Sequence, residues 1–254
     1  GLIFPRTSNM RILPLLCALL LANLVQAGEV ASPQAFKRVL DLAGLRMLCE
    51  QSAPLLMQGL SGENAQLQRL FAADLLCAQL AGRIASSVDA EQVRQAISLL
   101  ESPLAKRFVD AELAVGAEGD NGLKAYRAQL VAHPPLAARL ALVRRLEAAA
   151  YTTELSALLR YEVGKTQAWI ALRARGANPD ERALSELTAA QLDMLRQSSG
   201  DSVESFMLYA YRQIPSDQLQ AYAELYEQPA LKNLLAASAE ALPQVFASRR
   251  AVLK

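Results

Sequence analysis

The side chains able to do chemistry in this 254-residue chain are sparse, and their spacing limits what they can do together. One histidine is present, His133, followed directly by Pro134-Pro135. A single imidazole at a helix end cannot build a His-rich metal site, and no Cys or His pair has ligand spacing. No Gly-x-Ser-x-Gly elbow occurs, and no Ser-x-x-Lys pair stands between Gly28 and Lys254. Gly164-Lys165-Thr166 has the ending of a phosphate-binding loop, but the first glycine of that motif would fall on Leu159 and the surroundings read as continuous helix. Carboxylates are plentiful yet unpaired: Asp110 and Glu112 are two apart and face different ways on a helix. Arg144-Arg145 with Glu147 reads as a solvated face. Phe206, Tyr209, Tyr211, Tyr222, Tyr226 and Trp169 read as core and rim rather than a ligand cage. No catalytic, cofactor-binding or metal-ligating residue is assigned, and a non-enzymatic protein without cofactor is expected.

The elements that position these residues are helices. Ala and Leu dominate the composition and both favour helix. Ser32-Pro33 reads as an N-cap with proline at the first helical position. Asn178-Pro179-Asp180-Glu181 reads the same way with a capping box, and Asp89-x-x-Gln92 is a further start. Breaks are expected at Ser61-Gly62, Gly119 to Gly122, Pro134-Pro135, Gly176 to Pro179 and Ser198-Ser199-Gly200-Asp201. Between them apolar residues recur at three and four, as in Val93, Ala96, Ile97, Leu100 and Leu104. Leu155, Leu159, Val163, Thr166 and Ile170 do likewise. The fold class expected is all-α, an antiparallel multi-helix bundle joined by short connections.

The N-terminus carries an address. Met10-Arg11 precedes an apolar run, Ile12 to Val25, that exits through Val25-Gln26-Ala27. A basic start, a short apolar stretch and a small-x-Ala exit describe a secretory signal peptide. Residues 1–27 are therefore expected to be a leader, with 1–9 as extra residues before the initiator and 10–27 as the signal peptide. The run is too short for a comfortable span, which needs about 20 apolar residues. Leu16 before Cys17 disfavours lipidation. A mature chain of 28–254, periplasmic or secreted, follows. Arg6 and Arg11 leave with the leader, so 24 basic residues face 25 acidic ones. That balance steers the protein toward neither nucleic acid nor an anionic surface. Cys49 and Cys77 remain, in an oxidising compartment most simply as a disulfide, the alternative being two buried free thiols. A hairpin turning at Ser61-Gly62 would bring them to similar heights.

One phrase is written twice, 126 positions apart: Leu99-Leu-Glu-Ser-Pro-Leu-Ala-Lys106 and Leu225-Tyr-Glu-Gln-Pro-Ala-Leu-Lys232. Proline inside a helix costs about 3 kcal/mol or more but little at the first turn. Each block, Val88 to Ala111 and Ile214 to Ala237, should therefore be a helix, a corner, and a second helix beginning at Pro103 or Pro229. Ser102 can cap the first of these; Gln228 is a poorer cap. Glu101 and Glu227 are expected in solvent or beside Lys106 and Lys232. If the copies packed about a pseudo-twofold axis, the two glutamates would instead approach each other, and their pKa values would separate. The domain is expected to hold two pseudo-repeat halves, about 32–120 and 150–250.

The corner resembles that of a family of exported proteobacterial proteins catalogued as a domain of unknown function, whose pattern is aromatic-Ser-Pro-x-Gly-Lys. Ser102, Pro103 and Lys106 lie on that pattern, as does the aromatic at Tyr226. Ala105 and Leu231 replace its Gly, Leu100 its aromatic and Gln228 its Ser. The resemblance implies helices and export and brings no activity with it. Three functions are weighed: action through a partner surface in the cell envelope, first; carriage of an apolar or amphipathic ligand between the repeats, second; an acidic-pair hydrolase, last.

Overall fold

The structure is a computed structural model that describes residues 28–60 and 64–253. The leader and the Ser61-Gly62 turn lie outside the described residues. Those described are all-α. The twelve helices are α1 (Pro33–Leu42), α2 (Leu45–Met57), α3 (Ala65–Leu70), α4 (Ala73–Ile84), α5 (Ala90–Leu100), α6 (Pro103–Glu118), α7 (Asn121–Gln129), α8 (Ala137–Ala149), α9 (Thr152–Ala174), α10 (Glu181–Ala210), α11 (Ser216–Tyr226) and α12 (Pro229–Val252). None is long and apolar enough to cross a membrane.

Local chemistry explains most boundaries. Ser32 accepts from the Ala35 amide at 3.1 Å with Pro33 at the first position of α1. The Asp89–Gln92 capping box opens α5, with both reciprocal bonds made. Gly119 ends α6 at φ 79, a conformation in which side chains with a Cβ are strained. Two expectations shift. The cap of α10 is Asp180, bonded to the Ala183 amide at 2.8 Å, so Pro179 stays outside the helix. No break falls at Ser198–Asp201, because α10 runs straight through it. Its inward stripe (Leu184, Thr188, Leu192, Leu195, Ser199, Val203, Phe206) continues unbroken across the segment. A helical glycine costs about 1 kcal/mol, less than that continuous burial returns.

Both prolines of the repeated phrase open a helix. Pro103 starts α6 and Pro229 starts α12, each separated by two residues from a helix of 11 residues. Ser102 bonds the Ala105 amide at 3.3 Å, whereas Gln228 makes no side-chain cap. Ala105 and Leu231 both face the core, and Lys106 and Lys232 both face solvent. The corner glutamates meet arginines rather than lysines. Glu101 takes Arg38 of α1 at 2.9 Å and Glu227 takes Arg145 of α8 at 2.6 Å. The backbone at Gln228 (φ −60, ψ 138) is close to that at Ser102 (φ −64, ψ 153), so a serine fits there unchanged. Urea titration is expected to show Ser102→Ala losing about 1 kcal/mol and Gln228→Ser gaining up to about 1 kcal/mol. Equal midpoints for both variants and the parent would remove the cap from the account.

Helices far apart in sequence pack together. α12 packs on α4 and α5, α9 packs on α2, and α8 packs on α11. Phe71, at the end of α3, and Phe246 of α12 meet with ring centroids 5.4 Å apart, both inaccessible to solvent. On the other side α6, α7, α8, α10 and α11 converge. The candidate site lies there.

Candidate functional site

Along α6 the inward positions are Ala105, Phe108 and Val115, at spacings that leave one place between Phe108 and Val115. That place is Glu112, four residues after Phe108 and three before Val115. A carboxyl is thus carried onto the buried stripe of an amphipathic helix. Tyr211, just past α10, donates its hydroxyl to Glu112 Oε1 at 2.6 Å. Among the described residues, no hydrogen bond ends on Oε2, and no basic side chain stands within ion-pair distance of Glu112. Burial pushes the Glu112 carboxyl up, and the Tyr211 hydrogen bond offsets only part of that.

Three phenols gather around it. On α11, Tyr222 and Tyr226 are one turn apart and buried, with hydroxyls 3.4 Å from each other. Burial pushes Tyr226 up to about 12 and holds Tyr211 and Tyr222 well above the usual phenol range. Phe108 fixes the group. Its ring stacks on Tyr222 at 4.0 Å and meets Tyr211 edge-on at 4.8 Å. Aromatic pairs of this geometry contribute about 0.5–1.5 kcal/mol each beyond area burial.

These side chains border a cavity of about 240 Å³. Its apolar wall comes from Leu146 of α8, from Ala150 just past that helix, and from Val203, Phe206 and Met207 of α10. Arg127 of α7 is the exposed member of the lining, and its guanidinium is bound to Ser205 Oγ at 2.7 Å and the Ser202 carbonyl at 3.0 Å. Ala150 and Thr152 enter from the α8–α9 corner, where Tyr151 holds a left-handed backbone, φ 55, unusual for a residue with a Cβ. A carboxyl, three hydroxyls and an apolar wall can hold a small molecule by one polar end.

Compared with known families, curated proteins and solved structures, the chain matches none.

Other sequence candidates lie apart from this cavity. His133 is exposed between α7 and α8. Lys165 and Thr166 sit mid-helix in α9 within a buried charge network. There Arg250, 1% exposed, bonds Glu162 (also 1% exposed) at 2.9 Å and Glu181 at 2.6 Å. It also donates to Thr166 Oγ1 at 3.2 Å, while Lys165 reaches Ser185 at 2.6 Å and Glu181 at 3.6 Å. Two carboxylates and two cations satisfy one another, which suits a structural lock joining α9, α10 and α12. Arg144 and Arg145 lie on a solvated face as expected, where they pair with Glu204 at 2.9 Å and Glu227 at 2.6 Å, while Glu147 is partly buried. Trp169 lies half-buried under Arg173. No group of three or more His, Cys, Asp or Glu among the described residues could hold a metal ion. Sequence reasoning missed Glu112 although a signal existed: it occupies an inward position in the 105, 108, 112, 115 pattern.

Proposed function

We propose that this is an exported, non-enzymatic helical protein that binds a small amphipathic ligand in the Glu112–tyrosine cavity. The cavity is the observation that carries the reading. It joins a partly buried carboxyl to an apolar wall, and its lining runs from Glu112 on α6, the helix opened by the first proline corner, to Tyr222 and Tyr226 on α11 in the second corner unit. An apolar cavity of about 150 Å³ holds benzene, so 240 Å³ suits a one-ring or short-chain molecule. Long lipids are too large. The two matching corners, each with a glutamate held by an arginine from another helix, support a duplicated unit whose copies frame the site. Export rests on the leader at residues 10–27 and on the Cys49–Cys77 pairing.

Native mass spectrometry of protein taken from the periplasm tests the reading in one measurement. The expected mass begins at Gly28 and carries a small-molecule adduct, lost in an Ala150→Phe variant that fills the cavity. A mature chain retaining Ile12 to Val25, or an adduct untouched by Ala150→Phe, would overturn it.

A second reading, action through a partner surface in the envelope, is favoured by a groove of about 550 Å³ between α1 and α4. Phe36, Leu40, Ala81 and Ala85 line it, with Lys37 and Asp74 among its charged residues. Cross-linking in the envelope from a photoreactive residue at Ala81 tests it; labelling equal to that from an exposed site on α7 would discard it.

A further inference from the structure

We infer that the ligand of this cavity is a small organic cation, an ammonium group on an aromatic or short aliphatic body, held through Glu112 Oε2 and the surrounding phenol rings. The inference rests on the ligand-binding reading above and adds the charge of the ligand.

The two ends of the lining differ in what they leave unsatisfied. Arg127, exposed at the rim of the lining, donates Nε and Nη2 to Ser205 and Ser202, and its charge is screened by the water around it, so it offers an anion little. Glu112 has one oxygen taken by Tyr211, and the described residues provide neither a hydrogen bond to the other nor a cation near it. A partly buried carboxyl with no cation beside it is disfavoured in its charged form, and its raised pKa reflects that desolvation. An ammonium donates to a carboxylate through a charge-assisted bond, the strongest kind available there. Tyr211, Tyr222, Tyr226 and Phe206 supply electron-rich rings, which attract cations. The phenols stay protonated at neutral pH, Tyr226 up to about 12, so they compete with neither the ligand nor Glu112 for charge. With 240 Å³ available, phenethylammonium is a fitting probe.

Calorimetry on the full mature protein with three probes of one shape decides the matter: phenethylammonium, neutral 2-phenylethanol and anionic 3-phenylpropionate. The cation is expected to bind about tenfold or more tighter than the neutral probe, from one charge-assisted hydrogen bond, and the anion weakest. Glu112→Gln, in which Tyr211 still finds a carbonyl acceptor, is expected to erase the preference while the neutral probe changes less than about twofold. Near-UV circular dichroism of the tyrosines checks that the variant keeps its packing. If that variant does not fold, the three-probe ranking on the parent protein alone carries the test. Neutral or anionic probes binding as well as the cation would overturn the inference and leave the binding site standing. Failure of all three to bind at millimolar concentration would overturn both.

Discussion

Arg250→Ala is expected to lose about 3–5 kcal/mol of stability, because it strands the carboxylate of Glu162 inside the core. The guanidinium is the hub of the network: it bonds Glu162, Glu181 and Thr166, which come from α9 and α10 while Arg250 itself belongs to α12. Lys165 remains in the variant, but its bonds go to Ser185 and Glu181. The deficit carries a pH signature. Desolvation already holds Glu162 above the usual carboxylate range against the pull of Arg250 and Lys165. Without Arg250 it rises further. A carboxyl raised in the folded state contributes stability that is present below its unfolded pKa, about 4.3, and lost as pH rises through the folded value. For Glu181 desolvation acts upward too, but the hydrogen bond and charge of Arg250, with Lys165, bring it net below its ordinary value. The parent therefore loses that contribution as pH falls. Both effects narrow the gap between parent and variant in acid. Urea midpoints at pH 8 and pH 5 measure it, and a deficit that widens in acid would contradict the assignment. Replacing both partners, Arg250→Met with Glu162→Leu, is expected to recover much of the loss, since the two charges leave together and Lys165 keeps Ser185 and Glu181.

How far the sequence discloses this architecture depends on the range of the forces involved. Proline's restriction acts within one turn, so the starts of α6 and α12 are readable from Pro103 and Pro229 alone. Pro243 shows the limit of the same rule. It lies inside α12, where Leu242, Val245 and Phe246 are buried beside it and hold the helix together. Local cap rules point to Asn178 as the cap before Pro179, whereas Asp180 is the cap used. That register puts Glu181 in the first turn, bonded to Arg250 69 positions away. A window of ten residues contains no trace of that partner. The same holds for Glu101 and Glu227, whose nearest cations in sequence are lysines but whose ion pairs are arginines brought by α1 and α8. The candidate site divides similarly. Glu112 was legible by periodicity, being a charged residue at an inward position. The meeting of α6 with α10 and α11, which turns that glutamate and three tyrosines into one cavity, is a tertiary fact.

Removing the Cys49–Cys77 link should lower the melting temperature by roughly 10 °C, and the unfolded state is where most of that effect arises. The Cα atoms are 6.0 Å apart, within the range a disulfide spans, on α2 and α4, which pack together. The link closes a loop of 28 residues. In the chain-entropy model that stabilises the fold by about 3–4 kcal/mol, and in a domain of this size each kcal/mol moves the melting temperature by roughly 2–4 °C. Both sulfurs are buried, so Cys49→Ala with Cys77→Ala also removes a few core contacts, and the two contributions must be separated. The slope of the urea transition does this. A cross-link keeps the unfolded chain compact, so deleting it exposes more surface on unfolding and steepens the slope. Lost sulfur contacts alone shift the midpoint and leave the slope unchanged. Reduction of the parent protein in urea followed by refolding should reproduce the behaviour of the double variant, with a steeper slope and a lower midpoint. Two free thiols in the native exported protein, or a midpoint indifferent to reduction, would show that α2 and α4 are held by packing alone.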